Sequence, residues 1–305
     1  MKNTYVLLLA FFTATQLVQA QSLSIEQLLE KELSGFNGEA GLYAEHLVTG
    51  ERIAIRADSI FPTASVIKVP IMLGIFKQIH TGKLDLDTAL VYRDSLRYGG
   101  SGIMQYFKDS TDTDLSTLLS LMIGYSDNTT SLWCQSLAGG GGAINELLDS
   151  LGLEHTRVNS RTEGRQEAWK KYGWGQTSPR EMASLLIMIR REELFSPELS
   201  QKMYRLMTKV IYDEYALSAI PPYVQTASKQ GMVSDSRSEL VMVNAPSGDY
   251  VFYIATKNNR DTSWDNNNEA YRLQRSVSGM LWNYFEGETN INLPSRKSEE
   301  TSPRE

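Results

Sequence analysis

A serine and a lysine three residues apart, Ser65 and Lys68, could form a nucleophile and its base. If a helix begins near Ser65, both side chains lie on one face of it. A lysine accepts a proton only when it is neutral, so we expect Lys68 to be buried or close to another cation, since both lower its pKa. Taken alone, a Ser-x-x-Lys tetrad is more often a helix cap followed by a surface lysine.

Two downstream segments could complete this chemistry. Ser126-Asp127-Asn128 lies between two predicted helices, where a second hydroxyl and an amide can face a pocket. Lys229-Gln230-Gly231 lies on a predicted strand, where a cation can hold an anionic substrate. Together with the Ser65 tetrad they form a Ser-x-x-Lys, Ser-Asp-Asn and Lys-x-Gly set, which is far more specific than any one of its members.

The sequence resembles the class A β-lactamase family, as a divergent member. The similarity extends from Leu23 to Glu286, and three segments match the family in order and separation. These segments are Phe61-Pro62-x-Ala64-Ser65-x-x-Lys68-Val69-Pro70, Tyr125-Ser126-Asp127-Asn128-Thr129 and Thr177-Ser178-Pro179-x-x-Met182. The resemblance implies a serine hydrolase that opens the β-lactam ring through an acyl-enzyme, without a cofactor or metal.

The resemblance also implies roles for the reacting groups. Ser65 would attack the lactam carbonyl, and Lys68 would accept its proton directly or through water. Ser126, assisted by Lys229, would pass a proton to the departing lactam nitrogen. The backbone N–H groups of Ser65 and Met232 would form the oxyanion hole.

The substrate would be held by a second set of residues that the resemblance implies. Asn128 would hydrogen-bond the amide of the substrate side chain and help to hold Lys68. The Lys229-Gln230-Gly231 strand would bind the substrate, and Arg237 would help to bind its carboxylate. Gln230 departs from the family, which has a threonine or serine at this place, and its side chain is longer.

Release of the acyl group needs a carboxylate that activates water. The family carries this glutamate in an Arg-x-Glu-x-x-x-Asn segment of an omega-shaped loop, and Arg161-Thr162-Glu163 predicts Glu163 for the role. The alternative is a solvated loop glutamate. The loop departs from the family at Glu167, which replaces the asparagine, and at Gly175-Gln176, where the closing aspartate is missing.

Three functions remain open on these residues. The leading hypothesis is a β-lactamase. The second is a D-Ala-D-Ala peptidase or another amide or ester hydrolase that uses the same serine. The third is a binding or sensor module in which a β-lactam or muropeptide acylates Ser65 and stays. The region 159–175 also contains three aromatic residues, Trp169, Tyr172 and Trp174. We expect them either to line a substrate cleft or to pack within this region.

The elements that position these residues follow from periodicity and turn signals. The predicted helices are Ile25–Leu33, Ser65 to about Gly82, Thr113–Ile123, Thr129–Leu137, Ala143–Leu151, Thr177–Arg191, Pro197–Val210 and Glu269–Phe285. The predicted strands are Gly41–Val48, Arg52–Arg56, Gln225–Met232, Arg237–Val243 and Tyr250–Thr256. The regions 84–110 and 159–175 are expected to be irregular, and the glycine run 139–142 is expected to join two helices.

This order predicts an α/β plus all-α architecture of the β-lactamase/transpeptidase type. An antiparallel sheet with terminal helices would come from the discontinuous residues 21–64 and 211–286. Residues 65–210 would form an inserted helical subdomain, and residues 287–305 a disordered tail. Residues 1–20 read as a signal peptide cleaved after Ala20, which predicts a periplasmic or secreted protein.

Composition excludes several other classes of protein. The 305 residues carry a formal net charge of −6 and no basic stripe, which argues against a nucleic-acid partner. Only three histidines are present, without metal-ligand spacing, so neither a zinc site nor a Ser-His-Asp triad is indicated. No membrane span is expected after signal cleavage, and a monomer that binds a small β-lactam or D-Ala-D-Ala-like substrate is expected.

Overall fold

The computed structural model describes residues 23–287. It contains nine α-helices within those residues. They are α1 (Ile25–Ser34), α2 (Lys68–His80), α3 (Leu115–Gly124), α4 (Asn128–Leu137), α5 (Gly140–Ser150), α6 (Gln166–Tyr172), α7 (Pro179–Arg190), α8 (Pro197–Met207) and α9 (Glu269–Glu286). The predicted signal peptide and all but the first residue of the predicted tail lie outside the described residues.

Five long strands form one antiparallel sheet in the spatial order β2-β1-β5-β4-β3. They are β1 (Glu39–His46), β2 (Arg52–Ile55), β3 (Thr226–Val233), β4 (Ser236–Val243) and β5 (Tyr250–Lys257). The terminal parts of the chain therefore share one sheet, as predicted. The division of the chain into two subdomains stays a prediction.

The sheet is buried on both faces, and β5 shows this through its alternation. Val251, Tyr253 and Ala255 pack into the core beneath the inserted helices, whereas Tyr250 and Phe252 pack into a second core beneath α1 and α9. Successive side chains of a strand point to opposite faces, so one strand contributes to both cores. This central sheet gives β3, which carries Lys229, a rigid support.

Side-chain caps fix where the helices start. Ser24 and Gln27 form a capping box on α1. Asp114 caps α3, and Asp127 caps α4. A serine cap followed by proline, Ser178-Pro179, begins α7. These ends agree with the sequence predictions to within a few residues.

Three regions differ from the predictions. The glycine run does not join helices, because α5 already begins at Gly140. In the region expected to be irregular, α6 is present, and Arg157–Val158 and Gly175–Thr177 form a small sheet with Phe61–Pro62. In the region 84–110, a short strand, Ala89–Val91, pairs with Asp112–Asp114. Among the described residues, no helix is long and apolar enough to cross a membrane.

Candidate active site

Ser65 lies in a tight turn directly before α2. The turn, Ala64–Ile67, is a 3₁₀-helix, and Lys68 is the first residue of α2. Ala64 has a φ of +43°, a left-handed conformation that costs energy for a residue with a Cβ. Lys68 Nζ lies 3.0 Å from Ser65 Oγ. The two side chains therefore share one face, although the first turn is tighter than predicted.

Lys68 is fully buried and surrounded by oxygen atoms. Its Nζ lies 2.5 Å from the backbone oxygen of Ser126, 3.1 Å from Ser126 Oγ and 2.9 Å from Asn128 Oδ1. Burial lowers the pKa of Lys68 well below its ordinary value, and the positive charge of Lys229 lowers it further, while Asp127 opposes both effects. The lysine thus has the environment that a base at this position requires.

The loop between α3 and α4 places Ser126 and Asn128. Ser126 has a φ of +54°, so this turn also carries a residue in the left-handed region. The buried carboxylate of Asp127 caps α4 and accepts a hydrogen bond of 2.7 Å from the backbone N–H of Met104. Asn128 Nδ2 donates to the backbone oxygen of Gly99 at 3.1 Å. These bonds fix the loop against the neighbouring segment 99–104.

Lys229 approaches the same hydroxyl from the sheet. Its Nζ lies 3.0 Å from Ser126 Oγ and donates to the backbone oxygen of Gln230 at 2.9 Å. Burial lowers the pKa of Lys229 to about 7, against an opposing effect of Glu239. Ser126 Oγ therefore lies between two amines, Lys68 and Lys229.

Gly231 allows β3 to lie directly against the turn that carries Ser65. A Cβ at Gly231 would lie 2.2 Å from the backbone oxygen of Thr63 and 3.0 Å from the backbone nitrogen of Ser65. The first of these separations is shorter than any Cβ contact tolerates, so only glycine fits. Met232, the next residue, lines the cleft together with Ser65.

Ser65 opens into a cleft of about 690 Å³. Tyr98, Asn128, Trp169, Tyr172, Trp174 and Met232 contribute to its walls. The three aromatic residues of the loop 159–175 therefore line the cleft. On its other side Ser65 borders a pocket of about 390 Å³, which is lined in part by Ser126, Tyr215, Gln230 and Trp264. The site can accept a substrate that extends to both sides of the serine.

Glu163 is not brought to this cluster. Its side chain is exposed and lines a neighbouring pocket, which Ser65 does not border. It makes no hydrogen bond or ion pair with any residue of the described part. Glu167 is also exposed and pairs with Lys170 at 2.7 Å. Within residues 23–287, no carboxylate makes a hydrogen bond to Ser65 or Lys68.

The loop 159–175 is nevertheless fixed at its closing end without an aspartate. The backbone N–H of Thr63 donates to the oxygen of Gly175 at 3.0 Å, and that of Asn159 donates to the oxygen of Trp174 at 2.8 Å. Arg165 donates to Gln176 Oε1 at 2.9 Å. Backbone hydrogen bonds and the side-chain amide of Gln176 thus hold the end of the loop, where the family has an aspartate.

Arg237 does not reach the cleft. Its side chain is fully buried, with the guanidinium carbon 4.4 Å from the ring centroid of Trp264 and 5.2 Å from that of Tyr271. It donates to the backbone oxygens of Ser236 at 3.1 Å and Ser263 at 3.2 Å. Arg237 is thus the cross-strand neighbour of Met232, but its guanidinium is packed against Trp264 and lines neither pocket that Ser65 borders.

The sequence analysis missed Glu239, which is the cross-strand neighbour of Gln230. This carboxyl is fully buried, and its Oε2 accepts a hydrogen bond of 2.8 Å from the backbone N–H of Ala216. Burial raises the pKa of Glu239 to about 8, and Glu214 adds to the rise, while the bond from Ala216 and the charge of Lys229 oppose it. The available signal was an acid directly before the apolar run 240–243 on a predicted strand.

Trp174 was named in the sequence analysis but without a partner. Its ring centroid lies 5.9 Å from Lys68 Nζ. The indole contributes apolar surface near a fully buried amine, and its ring face attracts that amine when it is charged. Among the described residues, no group of three or more His, Cys, Asp or Glu side chains could hold a metal ion.

Comparison with known proteins identifies the family of the chain. The model of the β-lactamase enzyme family matches residues 24–285, so the chain belongs to this family. The β-lactamase VEB-1 of Pseudomonas aeruginosa is 21% identical over 296 residues, which cover 93% of this chain and 98% of that protein. The extended-spectrum β-lactamase PER-1 of the same organism is 27% identical over 155 residues, half of each chain.

Solved structures share the fold. PBP-A superposes with a TM-score of 0.76 at 28% identity, over 86% of this chain and 96% of that one. A variant of PBP-A was solved as an acyl-enzyme complex with penicillin G. An ancestral class A β-lactamase superposes with a TM-score of 0.75 over 86% of this chain and all of that one, and its 20% identity shows the fold alone. The predicted family and fold are therefore confirmed.

Proposed function

We propose that the protein is a serine hydrolase in which β-lactams acylate Ser65 and the acyl-enzyme is hydrolysed slowly. The observation that carries the proposal is the 3.0 Å separation of Ser65 Oγ from the Nζ of a fully buried Lys68. A lysine so desolvated is available in its neutral form, which is the form that accepts a proton.

Acylation would begin with attack of Ser65 Oγ on the lactam carbonyl carbon. The hydroxyl proton passes to neutral Lys68 Nζ, and the carbonyl becomes a tetrahedral oxyanion. The backbone N–H groups of Ser65 and Met232 would bind this oxyanion. Each such donor contributes about 3–4 kcal/mol in serine hydrolases. The close approach of β3 at Gly231 supports this role, because it brings the strand that carries Met232 against the turn that carries Ser65.

Collapse of the intermediate breaks the bond between the carbonyl carbon and the lactam nitrogen. That nitrogen needs a proton, and Ser126 Oγ can supply it, since it lies within 3.1 Å of Lys68 Nζ and 3.0 Å of Lys229 Nζ. Lys68 passes the proton that it took from Ser65 to Ser126 Oγ, so Lys68 is neutral again, Ser126 is a hydroxyl again and Ser65 is acylated. Asn128 would hold Lys68 and the substrate amide.

Slow hydrolysis follows from where the acids lie. Activation of water on an ester needs a base within hydrogen-bond reach of that water. Glu163, the predicted base, faces a neighbouring pocket, and Trp174 lies beside Lys68. The groups that form the acyl-enzyme would therefore all be in place, whereas its hydrolysis would lack a base beside the attacking water. Rapid β-lactam turnover through Glu163 is not favoured by this geometry.

A peptidase that cleaves a D-Ala-D-Ala amide is the second candidate. The space on both sides of Ser65 favours it, because an open-chain amide could extend from the cleft of about 690 Å³ into the pocket of about 390 Å³. The same nucleophile and proton path would serve an open-chain amide. A sensor that keeps its acyl group is the limiting case of the same proposal, with hydrolysis slower still.

Intact-protein mass spectrometry with benzylpenicillin tests the proposal. We expect the mass to rise by one whole antibiotic, since ring opening releases no fragment, and peptide mapping to place the adduct on Ser65. The Ser65→Ala variant should remain unmodified. Absence of an adduct together with absence of penicilloic acid would contradict the proposal.

Localisation and oligomeric state belong to the same proposal. Residues 1–20 read as an export signal, which supports a periplasmic or secreted enzyme. A small β-lactam or peptide partner fits the cleft of about 690 Å³. We expect the protein to be a monomer.

A further inference from the structure

The two spaces beside Ser65 differ in the reacting groups that border them. Ser65 borders both the cleft of about 690 Å³ and the pocket of about 390 Å³, whereas Ser126 borders only the pocket. In the proposed acylation, Ser126 Oγ gives a proton to the atom that leaves the carbonyl carbon, so that atom lies within hydrogen-bond reach of Ser126. The smaller space is therefore on the leaving-group side of the serine. We call this space, which Tyr212, Tyr215 and Trp264 also line, the leaving-group pocket.

The lining of the leaving-group pocket is rich in aromatic rings. Trp264 is 61% exposed, Tyr212 is partly buried and Tyr215 is buried. A space of about 390 Å³ lies in the range of pockets that hold drug-sized ligands, so a leaving group as small as alanine would leave much of it unfilled. Contacts between aromatic rings contribute more than their buried area alone. The lining therefore favours a leaving group that carries a ring.

The indole of Trp264 is held in place from behind. The guanidinium carbon of Arg237 lies 4.4 Å from the indole centroid and 5.2 Å from the ring centroid of Tyr271. The ring of Tyr271 in turn lies 4.4 Å from that of Tyr215. Arg237 also donates, at 3.2 Å, to the backbone oxygen of Ser263, which directly precedes Trp264. A wall that is ordered beforehand loses less entropy on binding than one that a ligand must order.

The charges near the leaving-group pocket favour an anion over a cation. None of the described residues that line it carries a formal charge. At its edge Lys229 Nζ lies 3.0 Å from Ser126 Oγ, and Arg237 lies behind the indole. Glu239, the cross-strand neighbour of Gln230, has its pKa raised to about 8 and is mostly uncharged at pH 7. A carboxylate on the leaving group would thus be attracted, and an ammonium group repelled.

We infer that the leaving-group pocket binds an aromatic amino acid residue with a free carboxylate, whose ring contacts Trp264, and that Trp264 selects this residue over alanine. The carboxylate would lie toward Lys229, and the ring would lie among Tyr212, Tyr215 and Trp264. Arg237 acts here as a positioning residue for the indole. The inference rests on the proposed function, because the role of Ser126 in acylation identifies the leaving-group side.

Binding without reaction tests this inference separately from acylation. In a Ser65→Ala background, isothermal titration calorimetry would compare phenylacetyl-glycyl-D-phenylalanine with phenylacetyl-glycyl-D-alanine. The two peptides share the acyl part and the carboxylate and differ only in one aromatic ring. We expect the D-phenylalanine peptide to bind about tenfold more tightly. Equal binding, or no binding by either peptide, would overturn the inference.

Trp264→Ala in the same background should reduce the preference to about twofold or less, because it removes the exposed ring from the wall. It should leave the affinity for the D-alanine peptide nearly unchanged, which also shows that the variant is folded. Trp169→Ala is the matched control, since this 50% exposed indole lines the larger cleft and does not line the leaving-group pocket. Its effect on the shared acyl part should be equal for both peptides, so the tenfold ratio should remain.

Three results with these variants would contradict the inference. They are a ratio that survives Trp264→Ala, a ratio that is also lost in Trp169→Ala, and loss of both peptides from Trp264→Ala, which would show that the indole supports the whole site. Each result is independent of the proposed function, which fails only if benzylpenicillin does not modify Ser65 in the unsubstituted protein.

Discussion

The Ser65 cluster and the loop 159–175 border one cleft but are built differently. Ser65, Lys68, Ser126 and Lys229 are joined by contacts of 3.0–3.1 Å, and both lysines are fully buried. The loop instead presents exposed carboxylates and partly exposed indoles. The cluster is therefore organised to move protons, whereas the loop is organised to contact a substrate.

This difference separates the two halves of a hydrolase reaction. Acylation needs a desolvated base beside the nucleophile, and the cluster provides one. Deacylation needs a carboxylate and an ordered water, whereas the two carboxylates of the loop are exposed and Glu163 lines a neighbouring pocket. Because different residues serve acylation and deacylation, a substitution can change the rate of one step without changing the rate of the other. Four substitution experiments can test that separation, starting with the largest effect.

Lys68→Met should slow acylation of Ser65 by benzylpenicillin by about 10²–10⁴-fold, the usual contribution of a general base. Lys68→Arg should be equally slow, since a guanidinium cannot become neutral in a protein. Stopped-flow or quenched mass spectrometry would measure the rate. A Lys68→Arg variant that acylates as fast as the unsubstituted protein would show that Lys68 acts only through its charge.

Gly231→Ala should reduce acylation by about 10²-fold, because a displacement of 1 Å at a reacting group can cost that much. The new Cβ would lie 2.2 Å from the backbone oxygen of Thr63, so β3 must move away from the turn. Gly142→Ala is the matched control, since no atom lies within 4 Å of its added Cβ. The control should acylate normally. Normal acylation by Gly231→Ala would refute the required close approach.

The acylation kinetics should depend on pH through Lys229. Its pKa is lowered to about 7, so it is charged below that pH and loses its proton above it. The benzylpenicillin concentration for half-maximal acylation should therefore rise as pH increases through about 7, because an anionic substrate loses its cation. Lys229→Arg stays protonated and should bind without this rise. Persistence of the rise in Lys229→Arg would assign it to another group.

Glu163→Gln should change the rate of acyl-enzyme hydrolysis by no more than about twofold, because an exposed carboxylate that does not line the Ser65 cleft is not placed to activate water on the acyl group. Glu167→Gln, at the other exposed acid of the loop, serves as its matched control and should behave alike. The decay of the adduct mass measures the rate. A large loss confined to Glu163→Gln would restore Glu163 as the deacylating base.

Local sequence signals predicted the elements that have strong caps and apolar periodicity. Ser24 and Ser178-Pro179 marked helix starts, and alternation marked the long strands. The helix α6 was missed because its seven residues include no buried side chain, so no hydrophobic period reveals it. The glycine run was misread, since a Cβ at Gly141 would collide with Thr162, and close approach is what requires glycine there.

The sequence predicted the position of a side chain well where its spacing in a motif also determines the direction in which it points. Spacing within a turn placed Ser65 and Lys68 together, and the structure brings Ser126 to them. Spacing along a loop or strand does not fix the direction of a side chain, because tertiary packing decides it. Glu163 and Arg237 therefore lie in their expected segments, but Glu163 lines a neighbouring pocket and the guanidinium of Arg237 is buried against Trp264.

Burst kinetics with a chromogenic cephalosporin would test most directly whether acylation and hydrolysis are separated. Rapid formation of the acyl-enzyme followed by slow release should give one equivalent of opened cephalosporin per Ser65, then a much slower linear phase. A linear time course with rapid turnover and no burst would contradict this account, because it would show that the chain hydrolyses its acyl-enzyme as readily as it forms it.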